Sequence, residues 1–278
     1  MNEVKALQQC QLNILKDLKR VCEQYDIPFY LAYGTCIGAY RHQGFIPWDD
    51  DVDICMLWSD LEKLKQHASE LSSRYFLQCN DTDPEYGLMI TRIRDSQTTL
   101  IEQEEADRDI NHGIFLDIYP LFPTYKSNLR ALPKIVASYI YRLFLYGRAP
   151  YHHGKMIRAV SNFLLTITTA SGKKRLQNKC VALMKKENES GYVSIFYGRF
   201  VEPVYNKEWL FPTKNMKFEN EDMPVPKEVE KVLTLGYGDF MKLPPEDQRK
   251  PHHDYIFMDP LNSYKVYKGI KYCREKQK

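Results

Sequence analysis

Apolar residues at three- and four-residue steps open the chain. Val4, Leu7, Ile14, Leu15, Leu18, Val21 and Cys22 mark one face of a helix over residues 3–25, and Pro28 ends it. The short aromatic run Phe29–Ala32 predicts a strand, Gly34-Thr35 a turn, and Cys36–Arg41 the start of a second helix. Alternation over Asp51–Leu57 predicts a second strand, and Asp60–Ser73 a helix with an acid near its start. Strand-like runs follow at Tyr75–Cys79, Leu88–Arg94, Thr98–Glu102 and Gly113–Tyr119. Residues 126–190 read as two or three helices with breaks near Pro150 and Gly172. The last third reads as short helices and loops, with a proline in each of Trp209–Pro212, Met223–Pro226 and Leu243–Pro245. The pattern predicts an α+β core followed by a mostly helical part.

The 278 residues are 44% hydrophobic and 27% charged, as in ordinary globular proteins, so a buried core is expected. The seven cysteines are scattered and form no CxxC, which argues against a disulfide framework or a structural zinc site and for reduced thiols in the cytoplasm. The first twenty residues show no signal peptide. The apolar stretches Ile135–Tyr146 and Phe163–Ala170 are shorter than the roughly 20 residues a membrane span takes.

Charge changes the picture. From Ile118 to Lys186 there are 13 Lys and Arg residues and no Asp or Glu; subtracting those 13 from the net +3 leaves the remainder at −10. Three readings of the acid-free stretch stand side by side: a solvated basic face, a surface resting on anionic lipid, and a cradle for an anionic substrate. No nucleic-acid-binding motif is present and no nucleic-acid partner is expected.

The candidate chemistry lies in Pro47-Trp48-Asp49-Asp50-Asp51-Val52-Asp53-Ile54, four carboxylates within five residues. In an extended segment Asp49, Asp51 and Asp53 project to one side and Asp50 to the other. Carboxylates crowded on one face need a cation between them, and oxygen-only ligands suit Mg²⁺ or Mn²⁺. A calcium loop of the EF-hand type is excluded, because Ile54 and Asp60 stand where Gly and Glu are needed. Upstream, Gly34 and Thr35 sit at a strand-to-helix turn suited to gripping phosphate. A turn of that kind followed by Asp-x-Asp describes a nucleotidyltransferase site. Asp117, a lone acid in the apolar strand around it, is the candidate third carboxylate.

The stretch Ala32–Asp53, AYGTCIGAYRHQGFIPWDDDVD, closely resembles the LicD family. The resemblance continues at Arg92-Ile93-Arg94-Asp95, Thr98-Thr99 and His112–Ile118, and resumes at Val225-Pro226, Tyr237-Gly238 and Leu243-Pro244-Pro245. Arg92 stands where Lys is common in the family. The resemblance implies an α+β, nucleotidyltransferase-like mixed sheet flanked by helices. On it, residues 1–122 are expected to form the catalytic core, 123–190 a basic helical region facing membrane or substrate, and 191–278 a C-terminal part completing the catalytic domain.

It also implies transfer of a phosphorylated small alcohol, phosphocholine in the best-known case and ribitol phosphate in the fukutin-related branch, from a CDP-linked donor to a cell-surface glycan that can be lipid-linked. Asp49, Asp51, Asp53 and Asp117 would be the metal-binding and catalytic acids. Arg41, Arg92 and Arg94 are candidates to hold donor phosphates, and His252 and His253 to reach phosphate or acceptor. Tyr33, Tyr40, Trp48 and Tyr119 lie near the motifs and are candidates to cage a quaternary ammonium. A cytoplasmic protein, peripheral on the inner face of the cell membrane, is expected. Two rivals share the fold: an NTP-dependent nucleotidyltransferase and a non-catalytic binding protein.

Overall fold

The computed structural model describes residues 3–148, 155–196, 203–251 and 253–274. The expected first helix is α1, Glu3–Gln24, whose stripe Leu7, Leu12, Ile14, Leu15, Leu18 and Val21 is buried. Strand β1 (Tyr30–Leu31), helix α2 (Tyr33–His42), strand β2 (Asp53–Leu57) and helix α3 (Trp58–Gln66) follow. Helix α2 begins earlier than expected: Tyr33 takes a left-handed φ of 46°, and Gly34 and Thr35 form the first turn. Strand β2 begins later, so Asp49, Asp50 and Asp51 lie in an irregular segment before it. Next come β3 (Tyr75–Gln78), β4 (Thr91–Asp95), β5 (Thr99–Glu102) and the long β6 (Ile114–Thr124).

The basic region holds three helices: α4 (Asn128–Tyr146), α5 (Lys155–Ile167) and α6 (Ala170–Met184). The break falls at Thr168-Thr169 rather than at Gly172, because the Thr169 hydroxyl accepts a hydrogen bond from the Gly172 N–H at 3.2 Å and caps α6. Helix α4 ends at Gly147, left-handed at φ 67°; the break expected at Pro150 lies outside the described residues. Strands β7 (Tyr192–Ser194) and β8 (Tyr205–Asn206) and the short helix α7 (Lys207–Leu210) lead to β9 (Lys214–Phe218), β10 (Glu221–Val225), α8 (Val229–Tyr237) and β11 (Tyr255–Asp259). The β9–β10 hairpin and β11 replace loops in the expected layout.

The chain divides into two compact units. One takes residues 1–86, 90–120 and 208–278, the other residues 87–89 and 121–207. In the first unit, strands run in the order β1-β2-β6-β4-β3 in a mixed sheet, and β5 pairs with β11. The architecture is α+β, as expected. Register places Leu31 opposite Ile54 and Arg92 opposite Asp117. Leu15, Leu18 and Val21 of α1 pack with Ile54, Met56, Ile93, Leu116, Phe218 and Val225 in one apolar cluster. That cluster backs the inner strands β2 and β6, which carry Asp53 and Asp117. Among the described residues, no helix is long and apolar enough to cross a membrane.

In the second unit, β7 pairs with the end of β6, and α4 packs on α6. Two of its cations turn inward. Arg142 is buried, and Lys134 Nζ donates to the carbonyls of Pro123 (2.6 Å), Met184 (3.0 Å) and Lys186 (2.6 Å). The last two carbonyls lie at the C-terminal end of α6, where the helix leaves acceptors unpaired and favours positive charge. Lys134→Met removes all three bonds and keeps the apolar stem. It should cost about 2 kcal/mol, from the usual worth of bonds to a charged donor. Thermal or urea unfolding checks this, and an unchanged midpoint would show that Lys134 does not bind α6 into the unit.

Candidate active site

The acidic segment is held from behind by α1. Gln8 Nε2 donates to the carbonyls of Ile46 (3.2 Å) and Asp49 (2.8 Å), and the buried Gln11 donates to the Asp50 carbonyl at 2.9 Å. The Thr35 hydroxyl accepts from the Asp53 N–H at 2.9 Å, so the first turn of α2 is tied to the start of β2. Thr35 therefore has a positioning part besides any contact with phosphate. Gly34 lies so close to Asp49 that a Cβ there would stand 2.8 Å from its Oδ2. A side chain at 34 would push the carboxylate out of place.

One carboxylate oxygen from each of Asp49, Asp50 and Asp51 falls within 4.8 Å of the others. This corrects the expectation that Asp50 turns away. Strict alternation holds only in a strand, and these three precede it. Asp50 is buried; it accepts from the His253 backbone N–H at 3.1 Å and pairs with His253 Nδ1 at 3.2 Å. Asp53 and Asp117, on the neighbouring strands β2 and β6, fall outside that close group and couple to it through charge. The charges of Asp51, Asp117 and Asp49 all act on Asp53, and the Asp117 N–H donates to the Val52 carbonyl at 2.9 Å. Asp53 Oδ1 is buried and accepts no hydrogen bond.

The electrostatics follow. Burial, then the charges of Asp51 and Asp50, push the Asp49 carboxyl up to about 8. Burial and the same kind of neighbours raise Asp53 well above the carboxylate range. Asp117 is also raised by burial, although Arg92 opposes the shift. Burial works against a charged His253, but the bond to Asp50 and the charges of Asp51, Asp50 and Asp117 outweigh it and hold the ring at about 9. An all-oxygen donor set, two strongly raised acids and an orphaned buried carboxylate oxygen together fit a hard divalent cation. Asp49, Asp50 and Asp51 could hold one, with Asp53 and Asp117 on the adjoining strands.

Two expected phosphate ligands are corrected. Arg92 is buried and spends its guanidinium on protein. Its Nε donates to Asp117 Oδ1 at 2.7 Å, and its other nitrogens pair with Glu102 and Glu105. Arg94 is fully buried and donates to Gln78 Oε1 (2.7 Å), the Gly113 carbonyl (2.9 Å) and Glu105 Oε2 (3.1 Å). Both guanidinium groups lie over the Phe115 ring, at 3.7 and 4.6 Å. These arginines brace Asp117 and the sheet behind it; a donor phosphate could reach neither without breaking buried ion pairs.

Arg41 is the half-buried cation of the expected set. It donates to the Phe240 carbonyl at 2.8 Å and feels the charge of Asp49. Arg249, not singled out from sequence, lies 5.6 Å over the Trp48 ring beside the acidic run. His252 lies outside the described residues. Of the four candidate aromatics, Tyr33 and Tyr119 meet edge to face at 5.0 Å, while Tyr40 packs on Phe240 and donates to Glu230.

Residues 26–132 match the family model described as LicD/FKTN/FKRP, nucleotidyltransferase domain. The chain is 29% identical over 250 residues to the lipopolysaccharide cholinephosphotransferase LicD of Haemophilus influenzae, covering 87% of this chain and 92% of that protein. A shorter match, 41% over 56 residues, joins it to the mouse ribitol-5-phosphate transferase FKTN, covering 20% of this chain and 11% of that one. An uncharacterised Rickettsia typhi protein is 42% identical over 60 residues, which is 22% of this chain and 19% of that one.

The raised acids set a pH dependence. A carboxyl whose folded pKa exceeds its unfolded value of about 3.9 contributes stability that is complete below that value. The contribution is lost as pH rises through the folded value, about 8 for Asp49. His253, held at about 9, has the same sign. In EDTA the melting temperature should therefore fall between about pH 6 and 9, where carboxylates ionise against one another. Mg²⁺ or Mn²⁺ should restore it, by about 3 °C near pH 8.5 and by less near pH 6. Scanning fluorimetry measures this, and a melting point indifferent to both ions at high pH would rule out a cation at these acids.

Proposed function

We propose that this chain, whose residues 26–132 match the LicD/FKTN/FKRP nucleotidyltransferase domain, acts as a divalent-metal-dependent phosphotransferase. It moves a phosphorylated small alcohol from a CDP-linked donor to a glycan hydroxyl and releases CMP. The observation that carries the reading is the clustering of Asp49, Asp50 and Asp51 against Gly34 in the first turn of α2, with Asp53 and Asp117 acting on the same neighbourhood through charge.

The bond that forms joins the glycan oxygen to the donor's distal phosphorus. The bond that breaks joins that phosphorus to the bridging oxygen, which leaves with CMP. The proton of the attacking hydroxyl goes to a carboxylate. Asp117 suits that role: burial raises its basicity, and Arg92 at 2.7 Å holds its orientation. Mg²⁺ or Mn²⁺ at the aspartates would neutralise charge on the pyrophosphate. Gly34 and Thr35 offer the N–H groups of a helix start to phosphate oxygens. Arg41, His253 and Arg249 supply positive charge on the same acids' side of the chemistry, in place of the buried Arg92 and Arg94.

Phosphocholine is the best reading of the transferred group. The long match to the Haemophilus enzyme, named for cholinephosphate transfer, supports it. The aromatic pair Tyr33 and Tyr119 supports it independently, as rings that could face a quaternary ammonium. The acceptor is read as an envelope glycan such as lipopolysaccharide, lipid-linked, met in the cytoplasm at the inner face of the membrane.

The purified chain incubated with Mg²⁺ and CDP-choline, CDP-ribitol, CDP-glycerol or CDP-ethanolamine, with and without envelope glycan, should release CMP from one donor. Asp51→Asn should lower that release by more than about a hundredfold and leave the fold intact by circular dichroism. Pyrophosphate release from CTP instead would favour the NTP-dependent rival. Donor binding with no turnover would favour a binding protein.

A further inference from the structure

Helix α5 is turned inside out for a helix facing water. At 100° per residue, Met156, Val160, Phe163 and Ile167 fall within an arc of about 60°. All four face solvent, exposed by 78%, 53%, 62% and 58%. Ile157 and Leu164 flank that strip, and Ile157 is also exposed. On the inner side lie the buried Ser161 and the half-buried Leu165, a short inward face beside the four exposed apolar residues. Arg158, Asn162 and Thr166 lie on the far side of the strip. A helix that only had to dissolve would show the reverse order, polar outward and apolar inward.

The surroundings of the strip have a sign. In the chain that follows, Lys173, Lys174, Arg175 and Lys179 lie on α6, and Lys185 and Lys186 come just after its end. No acid occurs between Ile118 and Lys186. Lys134 and Arg142 are buried, so they belong to the fold of the unit; Lys126, Arg130, Arg148, Lys174, Arg175, Lys179, Lys185 and Lys186 are exposed. A second copy of the same unit would bring the same positive charge to the same strip, which disfavours self-association. A surface both apolar and negative fits both features.

We propose that α5 is a docking helix that lies in the interface of an anionic phospholipid membrane, with Met156, Val160, Phe163 and Ile167 inserted among the acyl chains and the neighbouring cations on the headgroups. The proposal rests on the reading of the protein as one that works at a membrane and names the element that makes the contact. It does not depend on the transfer chemistry.

The test uses the full chain and vesicles of phosphatidylglycerol and phosphatidylcholine in equal parts, against phosphatidylcholine alone. Cosedimentation should favour the anionic vesicles at least about tenfold at low salt and weaken steeply at high salt. The double variant Val160→Glu with Phe163→Glu should lose about tenfold or more of that binding. Its melting point and its CMP release with a water-soluble acceptor should stay unchanged, since both side chains are exposed. Phe163→Trp should show blue-shifted emission with anionic vesicles and none with the neutral ones. Equal binding to both vesicle types, or a double variant that sediments like the parent, would overturn the proposal. So would a parent dimer that the double variant converts to monomer without any vesicle binding. Absence of CMP release from every donor would defeat the catalytic reading and leave the vesicle result standing.

Discussion

Like charges forced together in a largely buried place are the constraint around which the first unit is built. Two unit charges 4–5 Å apart repel by about 3–4 kcal/mol at an effective dielectric near 20, and here several pairs share one neighbourhood. The chain does not relax this by letting the acids swing out. Two glutamines of α1 hold the carbonyls of Asp49 and Asp50, a threonine of α2 holds the amide of Asp53, and a histidine holds the Asp50 carboxylate. Backbone and side chain are thus fixed by neutral donors or by one titratable ring. The negative charge stays largely uncompensated by protein, and the repulsion becomes affinity for whatever cation or proton arrives.

Positive charge is spent selectively around that cluster. Arg92 and Arg94 are buried cations of the sheet, and both are consumed by Asp117, Glu102 and Glu105 in a network under Phe115. Arg92 is held strongly protonated because those acids outweigh its burial. Glu102 is pulled below the usual range by the same arginines despite its own burial. Of the acids by the site, only Asp117 touches this network, through one oxygen. It is therefore oriented by a guanidinium and still raised in basicity by burial. Asp49 and Asp53 have no such partner. Within a few residues the fold makes two kinds of carboxylate, one braced and one exposed to its own kind.

Much of this was legible in the residues, and the failures have identifiable causes. The α1 stripe and the acidic run stood out because periodicity and charge density are local properties. Asp50 was misplaced because alternation was extended back beyond the start of β2 into residues that are not strand. Arg92 and Arg94 read as phosphate ligands because their partners lie ten or more residues away; the register that sets Arg92 opposite Asp117 exists only once β4 and β6 pair. Gln8 and Gln11 carried no signal, since a glutamine on a helix ordinarily faces water. The β9–β10 hairpin was missed for another local reason. Its two-residue turn is Glu219-Asn220 with Glu219 at φ 56°, where Asn-Gly or Asp-Gly would announce a turn, and Pro224 sits in its second strand.

The second unit shows the same division of labour between charges that build and charges that face outward. The acid-free stretch Ile118–Lys186 within it is not explained by internal pairing, since the buried Lys134 and Arg142 are satisfied by carbonyls or packed on a tyrosine ring rather than by carboxylates. A merely solvated basic face would account for the lysines of α6 and leave the α5 strip without a reason. A cradle for a small anion would account for the charges and again not for four large apolar side chains standing in water. Only a partner that is negative and apolar at once uses both. In this chain the electrostatics of the two units are therefore opposite in sign: one concentrates negative charge, which is what the proposed cation would use, and the other is rich in positive charge, which is what the proposed anionic surface would use.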